Sequence, residues 1–523
     1  MTTKQKLLID RTPQFNLFFQ SPSQPVATKP KPESPGPKRH FCSPDATDIT
    51  FGNVLLEQYL EGTGLRSPKI VGEMLDEQDW SAFEARYATS GRPPYAPRNM
   101  MGLILYGIMQ GVTSLRALEK LSRLDLGCMY VSGGIFPDHA NIGRFIVMHE
   151  KSLTGEFFDQ LTRSVLQKTN SSGECLAGDG TTIEAACSNY NLMKEEAAKA
   201  ALEEARKQSE KDPEDEKKQA DLEQAATAVD TLLDLKKKRK DRGRKADKTR
   251  VSPTEPEAIV QKMKRNRGYA PGYTPSVLVN DKRVVVAQAV DPTNETAVIP
   301  EMLDQAIRTT GQDPKELLLD GGYCNEAVIT TTLDRDISLL CSAGEPAKKP
   351  AKGKTFQKKH FRYDATKEAY ICPAGQKLVL LHSPKDPTAP KARWMYGGAP
   401  CQSCPLKAQC TKSKTKGRQI GRFAVDNLKE ILREVMQHPA AKKVFKQRKA
   451  MVEPVFGYLR TVQGLNRFRR RGLTSVKLEF SLHLLAYNLS RVVAAFFKAI
   501  FGLVWRYWAA FQGHQSLFGL KAA

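Results

Sequence analysis

The sequence predicts an α/β protein, with a helical N-terminal domain followed by a mixed-sheet core that carries two insertions. Three observations support this fold class. Apolar residues recur at helical spacing early in the chain, short apolar runs ending at an acidic residue follow, and a charged stretch and a cysteine-containing stretch interrupt the later region. We expect five parts: 1–48, 49–165, 166–345 with an insertion at 192–250, 346–420, and 421–523.

The charge balance indicates the class of partner. The 523 residues include 80 Lys and Arg against 57 Asp and Glu, which gives a formal net charge of +23. An excess of this size favours a polyanionic partner, with nucleic acid first and an anionic membrane second. The alternative is that the basic residues serve only solubility.

Neither a secretory signal nor a membrane span is predicted. Residues 1–15 lack a long apolar run, and charged residues interrupt the apolar stretch 482–510 before it reaches the roughly 18 residues that a span needs. We therefore expect a buried or interface helix there and no membrane partner. The six scattered cysteines are typical of thiols in a cytoplasmic protein; they are Cys42, Cys128, Cys175, Cys187, Cys324 and Cys341.

The first two parts differ in composition. Residues 1–48 are rich in Pro, Ser and Lys, and we expect a disordered basic tail. Residues 49–165 show helical apolar spacing, and Asp138 is placed to cap a short helix. Short helices in a basic protein suit a helix-turn-helix-like DNA reader, and a plain helical packing domain is the alternative.

The charged stretch 192–250 predicts an antiparallel helical hairpin. Its first half is rich in Ala and Glu, Asp212-Pro213 interrupts it, and a second helix should run from Glu214 to Leu235. The hairpin ends in a basic run, 236–245, which either contacts phosphate or is a solvated charge run or a nuclear-type address signal.

The remaining pattern alternates strands and helices. We predict strands at 283–291, 317–319 and 337–341, helices at 300–309 and 325–333, and helices over 427–497 around Glu453.

Two acidic residues stand at predicted strand ends. Asp179 and Asp320 each follow an apolar run and precede a glycine. Sites of open α/β sheets form at the carboxyl ends of strands, and two close carboxylates repel unless a cation lies between them. Carboxylate oxygen suits Mg²⁺, and a pair of such ions can cleave a phosphodiester. Taken singly, either Asp is equally compatible with an ordinary turn.

A third acidic residue, Glu453, precedes Pro454, which predicts that Glu453 lies at the start of a helix. Gly457 and Arg460 then share its helix face. Downstream, the basic patch 467–471 is suited to positioning a DNA backbone, or is a solvated face.

At these residues the sequence resembles the bacterial insertion-sequence transposases of the DDE superfamily. Residues 91–145 resemble their N-terminal domain, and GDGTTIEA (178–185), LLLDGGYCNEAVI (317–329) and VEPVFGYLRTVQGLNRFRRRGL (452–473) resemble their three catalytic blocks in order. The resemblance implies an RNase H-like mixed-sheet core and metal-dependent cleavage and strand transfer at terminal inverted repeats. It also implies double-stranded DNA, both transposon ends and target, as partner, and a homo-oligomer on paired ends.

The resemblance also implies roles for individual residues. Asp179, Asp320 and Glu453 become the three catalytic acids that hold two Mg²⁺ ions, with Mn²⁺ as an alternative. Expected DNA-binding residues are Arg448, Arg460, Arg467, Arg469, Arg470 and Arg471. The sequence departs from the family at Phe445, where Tyr is common, and at 271–276.

Four cysteines cluster in the second insertion: Cys372, Cys401, Cys404 and Cys410. Their spacing suits a structural tetrahedral Zn²⁺ site, and unmetallated reduced thiols are the alternative.

Two other functions remain open on the sequence. One is a catalytically inactive or domesticated transposase-derived DNA-binding protein, and the other is an RNase H-like nuclease that cuts without strand transfer.

Overall fold

The computed structural model describes residues 41–517 except 242, 244, 264–267, 293–294, 343–355, 388, 390–391, 399, 412 and 414–416. Most of the predicted tail, 1–40, and Arg242 and Arg244 of the basic run therefore lie outside the described residues. Within the predicted tail, residues Ala46–Asp48 form a short 3₁₀ helix.

Backbone contacts separate a small unit, residues 41–42 with Tyr87–Pro94, from the rest of the described chain. Inside this unit the Cys42 N–H donates to the Pro94 carbonyl at 2.8 Å. The rings of Phe41 and Tyr87 meet edge to face, with centroids 5.5 Å apart. Cys42 is exposed, which differs from the buried environments of Cys128, Cys187 and Cys341.

Helices dominate the first part of the larger unit. A short antiparallel pair, β1 (Thr50–Phe51) and β2 (Val54–Leu55), precedes them. The helices are α1 (Leu56–Gly62), α2 (Ser67–Asp76), α3 (Ser81–Glu84), α4 (Pro97–Met109), α5 (Leu115–Leu124), α6 (Leu126–Ser132), α7 (His139–Met148), α8 (Glu150–Thr154) and α9 (Glu156–Lys168). The predicted Asp138 cap is confirmed, since its carboxylate accepts from the Asn141 N–H at 2.6 Å.

A seven-stranded mixed sheet follows. Its strands are β3 (Cys175–Gly180), β4 (Ile183–Glu184), β5 (Ile259–Lys262), β6 (Tyr269–Val279), β7 (Val285–Asp291), β8 (Glu316–Leu319) and β9 (Ser338–Cys341). The central order is β7-β6-β3-β8-β9, with β6 antiparallel to both neighbours and with β3, β8 and β9 mutually parallel. The carboxyl ends of β3, β7, β8 and β9 therefore share one edge.

The apolar run Leu317–Leu319 is completely buried in β8, as a strand covered on both faces requires. The connecting helices are α12 (Ile299–Thr310) and α13 (Glu326–Asp334). Helix α9 is attached to α12 through the buried Asp159, which accepts from Gln305 at 3.2 Å and Thr309 at 3.0 Å. The predicted alternation of strands and helices is confirmed here within a few residues at each boundary.

Helices α10 (Glu195–Lys211) and α11 (Glu216–Asp241) form the predicted hairpin. An ion pair between Lys236, late in α11, and Glu195, at the start of α10, shows that the helices are antiparallel. A small separate core lies between them; it includes Ala198, Ala228, Val229, Leu232 and Val251.

The cysteine-containing insertion forms a second, antiparallel sheet. Its strands are β10 (Arg362–Asp364), β11 (Ala369–Ile371), β12 (Lys377–His382), β13 (Trp394–Gly397) and β14 (Ile420–Arg422), in that order. Short helical turns flank it at Lys358–His360, Cys401–Ser403 and α14 (Lys407–Cys410). Its core is separate from the main one.

The chain ends in helices α15 (Ala424–Val435), α16 (Pro439–Phe445), α17 (Gln447–Thr461) and α18 (Leu473–Leu517). Within the described residues, Leu473–Gly502 is the one helix long and apolar enough to cross a membrane, a test that buried core helices also pass. Helix α18 packs on α4, α9 and β7. The buried Asn488 accepts from the Val285 N–H at 2.9 Å and donates to its carbonyl at 2.8 Å, which fixes α18 to the sheet.

Candidate active site

Asp179 and Asp320 lie on neighbouring parallel strands. Leu176 pairs with Leu317 and Ala177 with Leu318, so the same register carried two residues further places the two aspartates alongside each other. Asp179 is half-buried and Asp320 is exposed. The fold thus brings together two acids that are separated by more than a hundred residues in the chain.

The backbone orients both carboxylates in the same way. The Gly180 N–H donates to Asp179 Oδ1 at 2.9 Å, and the Gly321 N–H donates to Asp320 Oδ1 at 2.5 Å. A Cβ at Gly321 would lie 2.6 Å from the Ser342 carbonyl oxygen, so the chain can turn here after Asp320 only with glycine. A carboxylate that accepts one N–H can accept further hydrogen bonds or bind a cation.

Helix α17 carries Glu453 along β3. At one end Arg448 donates to the Gly178 carbonyl at 3.5 Å, and at the other Arg460 donates to the Thr181 hydroxyl and, at 3.4 Å, to the Thr182 carbonyl. Glu453 lies between Arg448 and Arg460 in the helix. Asp179 lies between the residues that accept their hydrogen bonds, Gly178 and Thr181. Its side chain is exposed, whereas the flanking Val452 and Val455 are buried.

The predicted helix start at Glu453 is wrong, because α17 begins at Gln447 and Pro454 lies in its interior. A proline inside a helix cannot donate to the carbonyl four residues earlier, here that of Ala450. Arg283, in the turn before β7, donates to this carbonyl at 3.0 Å and replaces the missing partner. The expectation that proline marks a helix start was wrong here, because the Arg283 side chain donates to the Ala450 carbonyl that Pro454 leaves without its helical partner.

Four of the six arginines proposed as DNA contacts donate hydrogen bonds within the protein: Arg448, Arg460, Arg467 and Arg469. Arg448 is buried, and Arg467 donates to the carbonyls of Ala185, Ala186 and Cys187 at 2.8–2.9 Å. Arg469 donates to the Thr113 hydroxyl at 3.1 Å, and burial lowers the pKa of Arg470. Arg471 is exposed. Their DNA contacts stay predictions.

A fourth carboxylate, Glu295, lies at the same edge and was missed by the sequence reasoning. A Cβ built on Gly180 would meet Glu295 Oε2 at 2.5 Å, and one on Gly322 would lie 3.7 Å from Oε1. The signal that could have found it is its position four residues past the end of β7, a strand that ends at the edge where β3 and β8 also end.

Two buried hydroxyls complete this edge. Tyr323 is 1% exposed and Ser276 is 0% exposed; the two hydroxyls are close enough to interact, but neither makes a well-formed hydrogen bond to a described residue. Burial, together with the charges of Glu295 and Asp179, raises the pKa of Tyr323 well above its usual value. The Tyr323 hydroxyl therefore stays protonated beside several carboxylates.

The four clustered cysteines line one cavity together with Phe361, Leu378 and Arg418. Two of the sulfurs accept hydrogen bonds from backbone N–H groups. The Gln376 N–H donates to Cys372 Sγ at 3.3 Å, and the Arg418 N–H donates to Cys401 Sγ at 3.4 Å. Burial raises the pKa of Cys410, and the other three thiols add to the increase. Thiols with N–H donors suit Zn²⁺.

Neither the acids at the sheet edge nor the clustered cysteines form a complete set of metal ligands among the described residues. Across the part of the chain that the structure describes, no three His, Cys, Asp or Glu side chains converge closely enough to hold a metal ion as they stand. The donor types nevertheless match two kinds of cation, since carboxylate oxygens at the sheet edge suit a hard divalent ion and thiols suit a softer one.

Two family models match the chain. A model described as a transposase DDE domain matches residues 371–493, and one described as a transposase domain, DUF772, matches residues 67–147. The first match contains Glu453 and the clustered cysteines, and neither contains Asp179 or Asp320. A search of curated proteins found no match.

Proposed function

This chain belongs to the insertion-sequence DDE transposases, and on that premise we propose that it cleaves DNA at transposon ends and joins the freed strands to target DNA. The observation that carries the proposal is the parallel register that sets Asp179 beside Asp320, with the helix of Glu453 running along the same strand.

We propose further that the larger sheet is an RNase H-like core. Its support is the strand arrangement. Strand β3 lies at the centre of the five main strands. On one side lie β6, antiparallel to β3, and then β7, antiparallel to β6. On the other side β8 and β9 run parallel to β3. Asp179 lies in β3, Asp320 directly follows β8, and Glu453 lies in α17, which comes after β9 in the chain.

The cofactor we propose is a pair of Mg²⁺ ions, with Mn²⁺ as a substitute, held by Asp179, Asp320 and Glu453. DDE transposases generally use divalent metal. The chemistry that such ions supply is activation of the attacking oxygen and stabilisation of the leaving oxygen. Asp320 and Glu453 are exposed at the edge, Asp179 is half-buried, and all three offer carboxylate oxygens. The donor set therefore fits hard cations.

The chain's own residues hold this geometry. Arg448 and Arg460 fix α17 against β3, so that Glu453 keeps its place relative to Asp179. The basic surplus of the chain, including the exposed Arg471, would position the phosphate backbone without selecting a sequence. The partner proposed is double-stranded DNA, bound by a homo-oligomer on paired ends.

The test uses a supercoiled plasmid that carries the DNA flanking this reading frame. We expect Asp179→Asn, Asp320→Asn and Glu453→Gln each to lower cleavage in Mg²⁺ by at least about a hundredfold, because each removes charge that the reaction centre requires. Binding of end DNA, measured by gel shift, should remain. The matched control is Asp281→Asn, an exposed aspartate in the turn before β7, which should cleave as the unaltered protein does.

Other outcomes would assign other functions. Cleavage without joined products would indicate a nuclease, and end binding without any cleavage by the unaltered protein would indicate a DNA-binding protein derived from a transposase. Full cleavage by Asp179→Asn would remove Asp179 from the site.

A further inference from the structure

We propose that Glu295 is a fourth acidic ligand of the divalent-cation centre, acting beside Asp179 and Asp320; this rests on the proposed function. The three acids come from separate segments: Asp179 lies at the end of β3, Glu295 follows β7, and Asp320 follows β8. Because these strands end at one edge of the sheet, the fold brings their acids to one place.

The first support is the position of the Glu295 carboxylate between the two segments that carry the aspartates. One oxygen occupies the space where a side chain at Gly180 would begin, at 2.5 Å from an added Cβ. The other oxygen faces Gly322, at 3.7 Å from an added Cβ. Gly180 follows Asp179 directly and Gly322 lies two residues after Asp320, so the Glu295 carboxylate contacts the backbone of both segments that carry the aspartates. The absence of a side chain at Gly180 is what allows this approach.

The second support is the pair of unpartnered buried hydroxyls. The Tyr323 hydroxyl and Ser276 Oγ lie 3.1 and 2.9 Å from the same added Cβ position at Gly180, which places them beside the carboxylate. Both side chains are at least nine-tenths buried, and neither hydroxyl is satisfied among the described residues. Buried hydroxyls are normally bonded, so this edge has polar groups to offer a ligand or its waters.

Charge is the third consideration. The Glu295 carboxylate lies against Gly180 and Gly322, which closely follow Asp179 and Asp320 in the chain. Carboxylates gathered in this way repel one another unless a cation compensates them. Affinity for hard divalent cations rises with the number of charged oxygen ligands. Glu295 should therefore tighten cation binding, by contact with the ion or with its bound water.

The experiment measures Mn²⁺ binding to the full chain without DNA, from the electron paramagnetic resonance signal of free Mn²⁺. We expect Glu295→Gln to weaken Mn²⁺ affinity by about tenfold or more, the usual effect of losing a group in or next to a metal shell. Glu295→Asp keeps the charge and should recover part of the affinity. The matched control is Glu301→Gln, an exposed acid in the first turn of α12, which should bind as the unaltered protein does.

Gly180→Ala provides a second route to the same answer, because the added methyl group would displace the Glu295 carboxylate and should also weaken binding. Circular dichroism identifies any variant that has failed to fold, and Glu295→Asp then serves in place of Glu295→Gln, with a severalfold loss expected.

The inference is overturned if Glu295→Gln binds Mn²⁺ as tightly as Glu301→Gln does. If Asp179→Asn loses binding in that experiment, the proposed three-acid centre stands and only the role of Glu295 is lost. If the unaltered protein binds no Mn²⁺ and cuts no end DNA, the proposed function fails with it.

Discussion

The two sheets of this protein are stabilised in different ways. The seven-stranded sheet shares one continuous apolar core with the N-terminal helices and α18, and its strand β8 is buried on both faces. The five-stranded sheet has a small core of its own; its buried members are Phe356, Phe361, Tyr370, Leu378, Tyr396 and Ile420. The acidic site lies on the first sheet, and the clustered thiols lie beside the second.

The smaller sheet is completed by polar contacts. The buried Arg422 pairs with Glu430 at 2.6 Å, donates to the Tyr370 hydroxyl at 3.2 Å, and lies 3.3 Å above the ring of Tyr363. Small cores rarely stabilise a fold without a disulfide, a metal or a similar crosslink. A large apolar core can carry an exposed charged site, and we expect the small core to need a crosslink through its four cysteines.

The largest effect that would sharpen this comparison is expected from zinc removal. If the four cysteines bind one Zn²⁺ per chain, a chelator or Cys401→Ser with Cys404→Ser should unfold the five-stranded sheet and leave the larger sheet intact, since structural zinc supplies folding free energy directly. Elemental analysis gives the metal content, and hydrogen exchange resolved by segment gives the local stability. Cys175→Ser, outside the cluster, is the control. Equal protection of 362–422 with and without chelator would show that the sheet does not need metal.

A smaller effect is expected from truncating the two cores in parallel. Leu318→Ala in β8 should lower the free energy of unfolding by about 2–5 kcal/mol, because it opens a cavity in a completely buried strand. Leu378→Ala in β12 makes the same change in the small core and should weaken only the five-stranded sheet. Urea unfolding, followed by hydrogen exchange, separates these outcomes. The comparison breaks if Leu378→Ala destabilises 175–341 as strongly as Leu318→Ala does.

The smallest effect concerns acid. Burial, together with the charge of Arg469, lowers the pKa of His483 to about 3, and His483 Nδ1 lies 2.8 Å from Gln463 Oε1. The unfolded chain takes up this proton below a pH of about 6.5, so stability is complete above that pH and is lost as the pH falls toward 3.

Between pH 6.5 and pH 5 this histidine alone should cost the folded state about 2 kcal/mol. His483→Gln should therefore lose less stability than the unaltered protein between these two pH values in urea unfolding. The exposed His382→Gln, on the smaller sheet, should behave as the unaltered protein does. An unchanged pH dependence in His483→Gln would show that acid does not act through the larger core at this residue.

Local features of the sequence predicted most elements of the larger unit. Apolar periodicity placed the helices and the hairpin, and the acid after each apolar run marked the ends of β3 and β8. Proline was misleading at Pro454 because its missing donor is replaced by Arg283, a residue far away in the chain. The arginine patch was interpreted from its charge alone, whereas burial and nearby carbonyls direct Arg448 and Arg467 inward.

The sequence by itself determined which residues can form strands, helices and caps, since those preferences act over a few neighbours and leave a regular spacing. Only the tertiary structure decided that β7 runs in the same direction as β3, and hence that Glu295 arrives beside Asp179. Strand order and direction are fixed by pairing between distant segments and by burial of their shared faces, and no local pattern encodes those interactions.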